Sequence, residues 1–472
     1  MNKYYILYSK PSCTIISESF VQNRIDAQFY SSEYLTIEKI EFDNGLDYVE
    51  LGEIGTNFSY GTPPYGHICD KGVPYLRIPD IEDDFFLSDS NIAFIDKEYH
   101  LKNIRNEVKA GDVLFRIKGQ LGQALVVPQK LSNSHTGSSF LRFTPKSINP
   151  YFLVCYLNSS FGRNQINRKQ SNSIIQYLNI DDITSIRVPI PSPEIQKYIG
   201  DKVRKAEELR EEAKRLKKEA EEILNAELKL SYFNERVKDA PKIYNWIYGE
   251  SIEIRIDSQY YINETNFINN EMYKKGLKLK RISEIANVGK GFSYTSLDNK
   301  SIPYIRISDL DDLLINFDTA ELVDEKTYSE KKSSQLEKYD LIFAITGATI
   351  GKVSLFYNSK YSKATLSSDT AFVRLKDKND AAYVLLYLKS FIGQLGILKG
   401  VTGATNRHLS LEHIGDIFIP VIDNKLKQEI NMRVIKAIDN VYLSKQLIKE
   451  AKQDVEDLIE GNFDMSKVKA NS

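Results

Sequence analysis

The chain has 472 residues, 42% hydrophobic and 27% charged, and its 63 basic residues against 64 acidic ones leave a net charge of -1. That length is too great for one hydrophobic core and calls for about two to four domains, while the charge balance supplies no bulk attraction for a polyanion and leaves phosphate contacts to local basic loops or to a partner subunit. No apolar run approaches the ~18 residues of a membrane span, and the opening MNKYYILYSKPS lacks the order of a secretory signal. Cys13, Cys69 and Cys155 are too scattered for a disulfide framework or a zinc site. The expected setting is the cytoplasm, with no membrane partner.

In chain order, Arg24-Ile25-Asp26-Ala27-Gln28-Phe29-Tyr30 is the first run that returns later, as Arg255-Ile256-Asp257-Ser258-Gln259-Tyr260-Tyr261, at an offset of 231. Phe58-Ser59-Tyr60 matches Phe292-Ser293-Tyr294, and Val73-Pro74-Tyr75-Leu76-Arg77-Ile78-Pro79-Asp80 matches Ile302-Pro303-Tyr304-Ile305-Arg306-Ile307-Ser308-Asp309. Alternating apolar positions after a leading proline predict a strand entering a turn. Next, Val113-Leu114-Phe115-Arg116-Ile117-Lys118-Gly119 corresponds to Leu341-Ile342-Phe343-Ala344-Ile345-Thr346-Gly347, a buried strand that breaks at glycine in each half. Phe140-Leu141-Arg142-Phe143 pairs with Phe372-Val373-Arg374-Leu375, and Tyr156-Leu157 with Tyr387-Leu388 in a short helix. The run from Tyr177 to Ile183 pairs with that from His408 to Ile414, and each half closes on a strand ending in proline, at Pro189 to Pro191 and at Pro420.

Each half then enters a long helix. From 194 to about 232 the composition is Glu, Lys, Ala and Leu with one glycine, Gly200, and the seam Ala206, Leu209, Ala213, Leu216, Ala220 and Ile223 alternates three and four residues as a coiled coil requires. From 425 to 460 the seam Val434, Ala437, Val441, Ser444, Ile448, Ala451, Val455 and Leu458 repeats the pattern. Adding the same offset of 231 to Ala206, Ala213 and Ala220 gives Ala437, Ser444 and Ala451. Two such helices in one chain can pair with each other. The sequence therefore predicts a duplicated α+β domain, each copy followed by a long helix.

Catalytic motifs fail one by one. Gly61-Thr62-Pro63-Pro64-Tyr65 lacks the acidic or amide residue that an amino-methyltransferase loop places before its prolines, and reads as a turn. Gly347-Ala348-Thr349-Ile350-Gly351-Lys352 is too short for a phosphate-binding loop and is followed by Val353. The histidines His67, His100, His135, His408 and His413 form no metal-binding pattern. Polar and basic loops are better candidates, because Arg and Lys bind phosphates or guanine and Asn and Gln pair with adenine. RNQINRKQSN, from 163 to 172, reads as such a loop, aligned with 394–403 and the following Ala404-Thr405-Asn406-Arg407. In the first half the candidate DNA-binding residues are Arg77, Lys118, Gln120, Arg163, Arg168, Lys169, Gln170 and Asn172. In the second they are Lys290, Arg306, Thr346, Thr349, Lys352, Lys399, Thr402, Thr405, Asn406 and Arg407. Arg77 and Arg306 carry a second reading as partners of structural salt bridges.

This order of motifs, duplicated at one offset and separated by two long helices, resembles the specificity subunit of type I restriction-modification systems. The resemblance implies target recognition domains at 24–191 and 237–421, helical spacers at 192–236 and 422–462, an N-terminal segment 1–23 and a tail 463–472. It further implies that the two helices pair as an antiparallel coiled coil, giving the whole pseudo-twofold symmetry, and that the chain is a non-catalytic reader of double-stranded DNA, each domain binding one half of a split site. Two methyltransferase subunits, carrying S-adenosylmethionine and methylating adenine, would be its partners, joined by restriction and translocase subunits, with no cofactor on this chain. The alternatives are a non-enzymatic protein-binding scaffold and the recognition subunit of a related type II-like restriction enzyme.

Overall fold

The apolar run at 113–117 is unbroken because both faces of its strand are covered: Val113 and Phe115 enter one core cluster and Leu114 another. The computed structural model that shows this describes residues 4–7, 13–16, 29–82, 85–169, 177–240, 264–294, 300–357, 361–403 and 407–469. Both copies of the Arg-Ile-Asp run, up to 28 and from 255 to 261, lie outside the described residues. The chain forms two units, residues 1–209 with 443–472, and residues 210–442.

In the first unit, strand Val113–Arg116 lies between Ala124–Val126 and Phe140–Pro145, with Gly55–Tyr60 beyond, all antiparallel. The second unit repeats the order, with Leu341–Ala344 between Val353–Leu355 and Thr370–Leu375 and Ala286–Lys290 beyond. Each unit adds a smaller sheet in which Val73–Leu76 pairs in parallel with His135–Thr136, or Lys300–Ile305 with Thr365–Leu366. A buried carboxylate braces both frameworks at the same place: Arg142 reaches Asp112 at 3.3 Å, and Arg374 reaches Asp340 at 2.8 Å.

Behind the main sheet lies a helix that is apolar all round, Pro150–Leu157 or Ala381–Lys389, as its position between sheet and long helix demands. Asn149 caps the first of these by accepting from the amides of Tyr151 and Phe152. Gly200 is the lone glycine of the central helix for a local reason, since a Cβ there would lie 2.6 Å from Asn149 Oδ1.

The central helix is Pro193–Leu228 and the closing helix Asn424–Ile459. In the first unit, Ile199, Val203 and Ala206 share a core with Ala451, Val455 and Leu458, while Lys202 reaches Asp454 at 2.6 Å and Glu450 at 3.6 Å. In the second unit, Ala213, Leu216 and Ala220 share a core with Val434, Ala437 and Ile438, and Arg433 reaches Glu219 at 3.3 Å. The pairing is antiparallel. The offset of 231 that relates Lys202 to Arg433 also relates Glu219 to Glu450, so one interhelical ion pair occurs twice. Leu209, Ile223, Val441 and Ile448 lie at the half-buried edge of the seam.

Three sequence expectations change. The central helix stops at Leu228, four residues early, because Lys229 turns into the left-handed region at φ 52° and the chain resumes as Leu230–Arg236. RNQINRKQSN is not a loop over 163–169, which belongs to helix Ser160–Lys169; the buried Phe161 and Ile166 supply its apolar face, which the six polar residues of 163–169 mask in sequence. The match of Phe58-Ser59-Tyr60 with Phe292-Ser293-Tyr294 is not a structural equivalence. Gly61 and Gly291 occupy the same place, each pressed against two backbone carbonyls, so the first tripeptide precedes the glycine and the second follows it.

No single helix among the described residues is long and apolar enough to cross a membrane; the bent pair Lys378–Lys389 and Phe391–Lys399 passes by composition, and its first arm is core.

Candidate nucleic-acid interface

A strand that ends at glycine leaves a turn whose next residues project from the sheet edge. In the first unit the turn contains Gly119 at φ 75° and Gly122 at φ 80°, with Lys118, Gly119 and Gln120 exposed. Arg116 fixes it from within, donating to the Lys118 carbonyl at 2.9 Å and to Gln123 Oε1 at 3.2 Å. Arg163 fixes it from the following helix, donating to the Leu121 carbonyl at 2.8 Å. Lys118 Nζ donates to Ser138 Oγ at 3.3 Å, and the loop at 136–137 packs on Gly61, so three turns meet. Tyr60 and Tyr177 stand exposed in the same unit, at 39% and 55%. Burial of its ring pushes the Tyr60 hydroxyl pKa up, against a bond from the Ile180 backbone that lowers it, which places Tyr60 beside the helix Ile180–Thr184.

The second unit builds the same junction. Gly347 at φ 72° and Gly351 at φ 103° hinge the turn, and Gln394, at the position of Arg163, donates to the Gly351 carbonyl at 2.9 Å. Thr346 Oγ1 donates to Asp369 Oδ1 at 2.9 Å, as Lys118 does to Ser138. A hairpin completes the face: Val401–Thr402 pairs with His408–Leu409, Thr346 bridges to His408, and the Gly347 amide donates to the Arg407 carbonyl at 3.2 Å. The Thr402 hydroxyl donates to the His408 carbonyl at 3.3 Å. Lys290, Lys352 and Arg407 are exposed and form no ion pair among the described residues. Thr349 Oγ1 is buried with no hydrogen-bond partner among the described residues.

The structure thus brings together Lys118 and Gln120 in one unit, and Thr346, Thr349, Lys352, Thr402 and Arg407 in the other, with Lys290 adjoining Gly291. Other candidates point inward. Arg77 is held by Asp80 at 3.1 Å and the Asn91 carbonyl at 3.0 Å, and Arg306 by Asp309, Glu321 and the Thr319 carbonyl. Their geometry is that of structural ion pairs, the second reading the sequence left open. Arg168 reaches Glu38 at 2.9 Å with its guanidinium 4.2 Å from the Phe29 ring, and Lys169 donates to Ser185 at 2.8 Å. Lys399 donates to Asn266 at 2.7 Å, and burial holds its ammonium below the usual lysine range. Gln170, Asn172, Thr405 and Asn406 lie outside the described residues. Neither exposed tyrosine was a candidate in sequence, although Tyr60 lies in a matched run and Tyr177 aligns with His408.

Among the described residues no three His, Cys, Asp or Glu side chains form a group that could hold a metal. What the faces offer is hydroxyl, amide, ammonium and guanidinium donors together with aromatic rings, the chemistry of groove and backbone contacts.

The model of the type I restriction modification DNA specificity domain matches residues 44–222 and again 274–453, together well over half of the chain. A comparison with curated proteins finds no match. Among solved structures the chain is similar to the type I restriction-modification system S subunit from M. genitalium, at 13% identity and a TM-score of 0.46 over 89% of this chain and 97% of that one. It is also similar to the HsdS subunit from Thermoanaerobacter tengcongensis, at 16% identity and a TM-score of 0.31 over 89% and 97%. The duplicated match to the specificity domain identifies the chain as a member of the type I restriction-modification DNA specificity family.

Proposed function

We propose that each unit reads one half of a bipartite duplex DNA site through its turn-built face, and that the paired helices set the spacer between the halves. The observation that supports this reading is the duplication with divergence: one glycine-hinged turn, braced to one second loop, recurs in both units while its exposed side chains differ. A scaffold that holds register while its surface varies suits two half-sites of different sequence. Half-sites read from one face of a duplex lie about one helical turn apart.

Two copies of a methyltransferase subunit dock on features that both halves share. They carry S-adenosylmethionine and perform the adenine chemistry, restriction and translocase subunits join the assembly, and this chain contributes no cofactor and no catalytic group. The complex works in the cytoplasm.

The helical spacer is tested by removing residues 206–212 and 437–443 together, seven from each helix between the repeated ion pairs. At ~1.5 Å per residue the pair shortens by about 10 Å, or roughly three base pairs. The expected result is a methylated motif with the same half-sites and a shorter spacer. Changed half-sites with the old spacer contradict the proposal.

A further inference from the structure

On the smaller lobe of the first unit, four large apolar side chains stand in solvent: Tyr65 at 84%, Ile68 at 64%, Leu101 at 58% and Ile104 at 51% exposed. The turn that carries Tyr65 and Ile68 is tied to the helix Lys97–Lys102 that precedes Ile104. Tyr99 donates to the Pro63 carbonyl at 3.0 Å, the Asp96 amide donates to the His67 carbonyl at 3.1 Å, and the His67 and Tyr99 rings stack at 4.5 Å. Asn106, two residues after Ile104, donates to Thr62. The two segments lie side by side, and single exposed apolar residues are ordinary where four on one small lobe are not.

Two observations indicate what covers it. The charges around the ridge are unbalanced: Lys102 is paired with Glu98 and His67 with Asp96, whereas Lys71, Lys97 and Arg105 are exposed with no ion pair among the described residues, against Asp70 alone. That surplus suits a polyanion. Among the described residues 300–336 of the second unit, which hold the counterparts of Leu101 and Ile104, no large hydrophobic is exposed. A partner present in two identical copies meets what both units share, whereas the two halves of an asymmetric DNA site differ.

We propose that this ridge contacts thymine methyl groups of duplex DNA in the half-site read by the first unit, an inference that rests on the DNA-reading role given above. Ile68, Leu101 and Ile104 have no flat face on which a base can stack, and the thymine C5-methyl is the apolar group that a duplex presents in its major groove. Lys71, Lys97 and Arg105 bind the flanking phosphates.

The test uses the complex purified from the source cell through a tag on the full chain. Its probe is the duplex carrying the motif whose methylation disappears when the gene is deleted, made with thymine or with uracil. The complex binds the thymine duplex about tenfold more tightly. With Ile68→Ser, Leu101→Ser and Ile104→Ser together, the two duplexes bind equally, at the level of the parent on uracil, and the copurifying subunits are unchanged. Ile104→Ser alone gives a partial loss of the preference. A triple variant that keeps the thymine preference, or a parent without one, overturns the assignment and leaves the DNA-reading role standing. Loss of a copurifying protein overturns it by giving the ridge to that protein. A parent complex that binds neither duplex removes the DNA-reading role and this inference with it.

Discussion

In the first unit the turn after the central strand presents Lys118 and Gln120, and its domain exposes Tyr60, Tyr65 and Tyr177; in the second the corresponding surface presents Thr346 and Lys352 with Lys290, Arg407 and His408. Beneath these faces the frameworks coincide: the same strand order, the same arginine on the same buried aspartate, and the same side-chain position bracing the glycine turn. Interior positions are constrained by packing and by the cost of unpaired buried charge. Exposed ones are free to diverge, and around the glycine turn they have, with Lys118 and Gln120 in one unit standing where the other has Thr346 and Lys352.

If the frameworks are equivalent, Asp112→Ala and Asp340→Ala cost the same, each leaving an arginine beside an empty buried position; we expect about 3–5 kcal/mol from either in thermal or denaturant unfolding. A cost for only one of them breaks the equivalence.

The next effect belongs to the first unit alone. His135 is fully buried, hydrogen-bonded through Nδ1 to His100 Nδ1 at 3.3 Å, and the second unit has Thr365 in its place. Burial, reinforced by the charge of His100, pushes its pKa down to about 4. A histidine depressed in the fold contributes stability above its unfolded pKa of about 6.5 and loses it as pH falls towards 4. The first unit should therefore lose on the order of 3 kcal/mol between those values, and His135→Thr should abolish that loss. Melting curves at pH 7 and 4.5 decide, and an equally acid-labile second unit contradicts the account.

Smaller again is the difference in electrostatics. Lys352→Gln with Arg407→Gln should lower the slope of log affinity against log salt by about 1.8, and Lys118→Gln by at most about 0.9. Equal slopes from both faces remove the contrast. The smallest expected effect concerns the entry to the central strand, where Gly111 at φ 87° corresponds to Tyr339 at φ 80°. A Cβ at Gly111 meets nothing within 4 Å, so Gly111→Ala should cost about 1 kcal/mol from backbone strain alone. The second unit tolerates a side chain there because the Tyr339 ring packs 5.4 Å from Tyr357, with Lys338 over both.

What could be read before the structure follows from what repeats. Strands buried on both faces, proline-ended closing strands and a three-four seam each leave a local pattern, so the duplication, the sheets and the paired long helices were legible at Val113, Pro189 and Ala206. Direction was not. Arg168 and Arg407 look alike in sequence, yet one is drawn to Glu38 and the Phe29 ring while the other is exposed and forms no ion pair among the described residues. The helix Ser160–Lys169 was hidden because its polar side chains bind inward. Phe58-Ser59-Tyr60 misled because three identical residues outweighed the one glycine whose surroundings fix the register.

The most direct test of the account is a genome-wide map of methylated adenine in the source cell with and without this gene. The account predicts the loss of one bipartite motif, with two half-sites of different sequence and a fixed spacer, while every other methylated motif persists. A map unchanged by the deletion, in cells where the chain copurifies with an active methyltransferase, would contradict it.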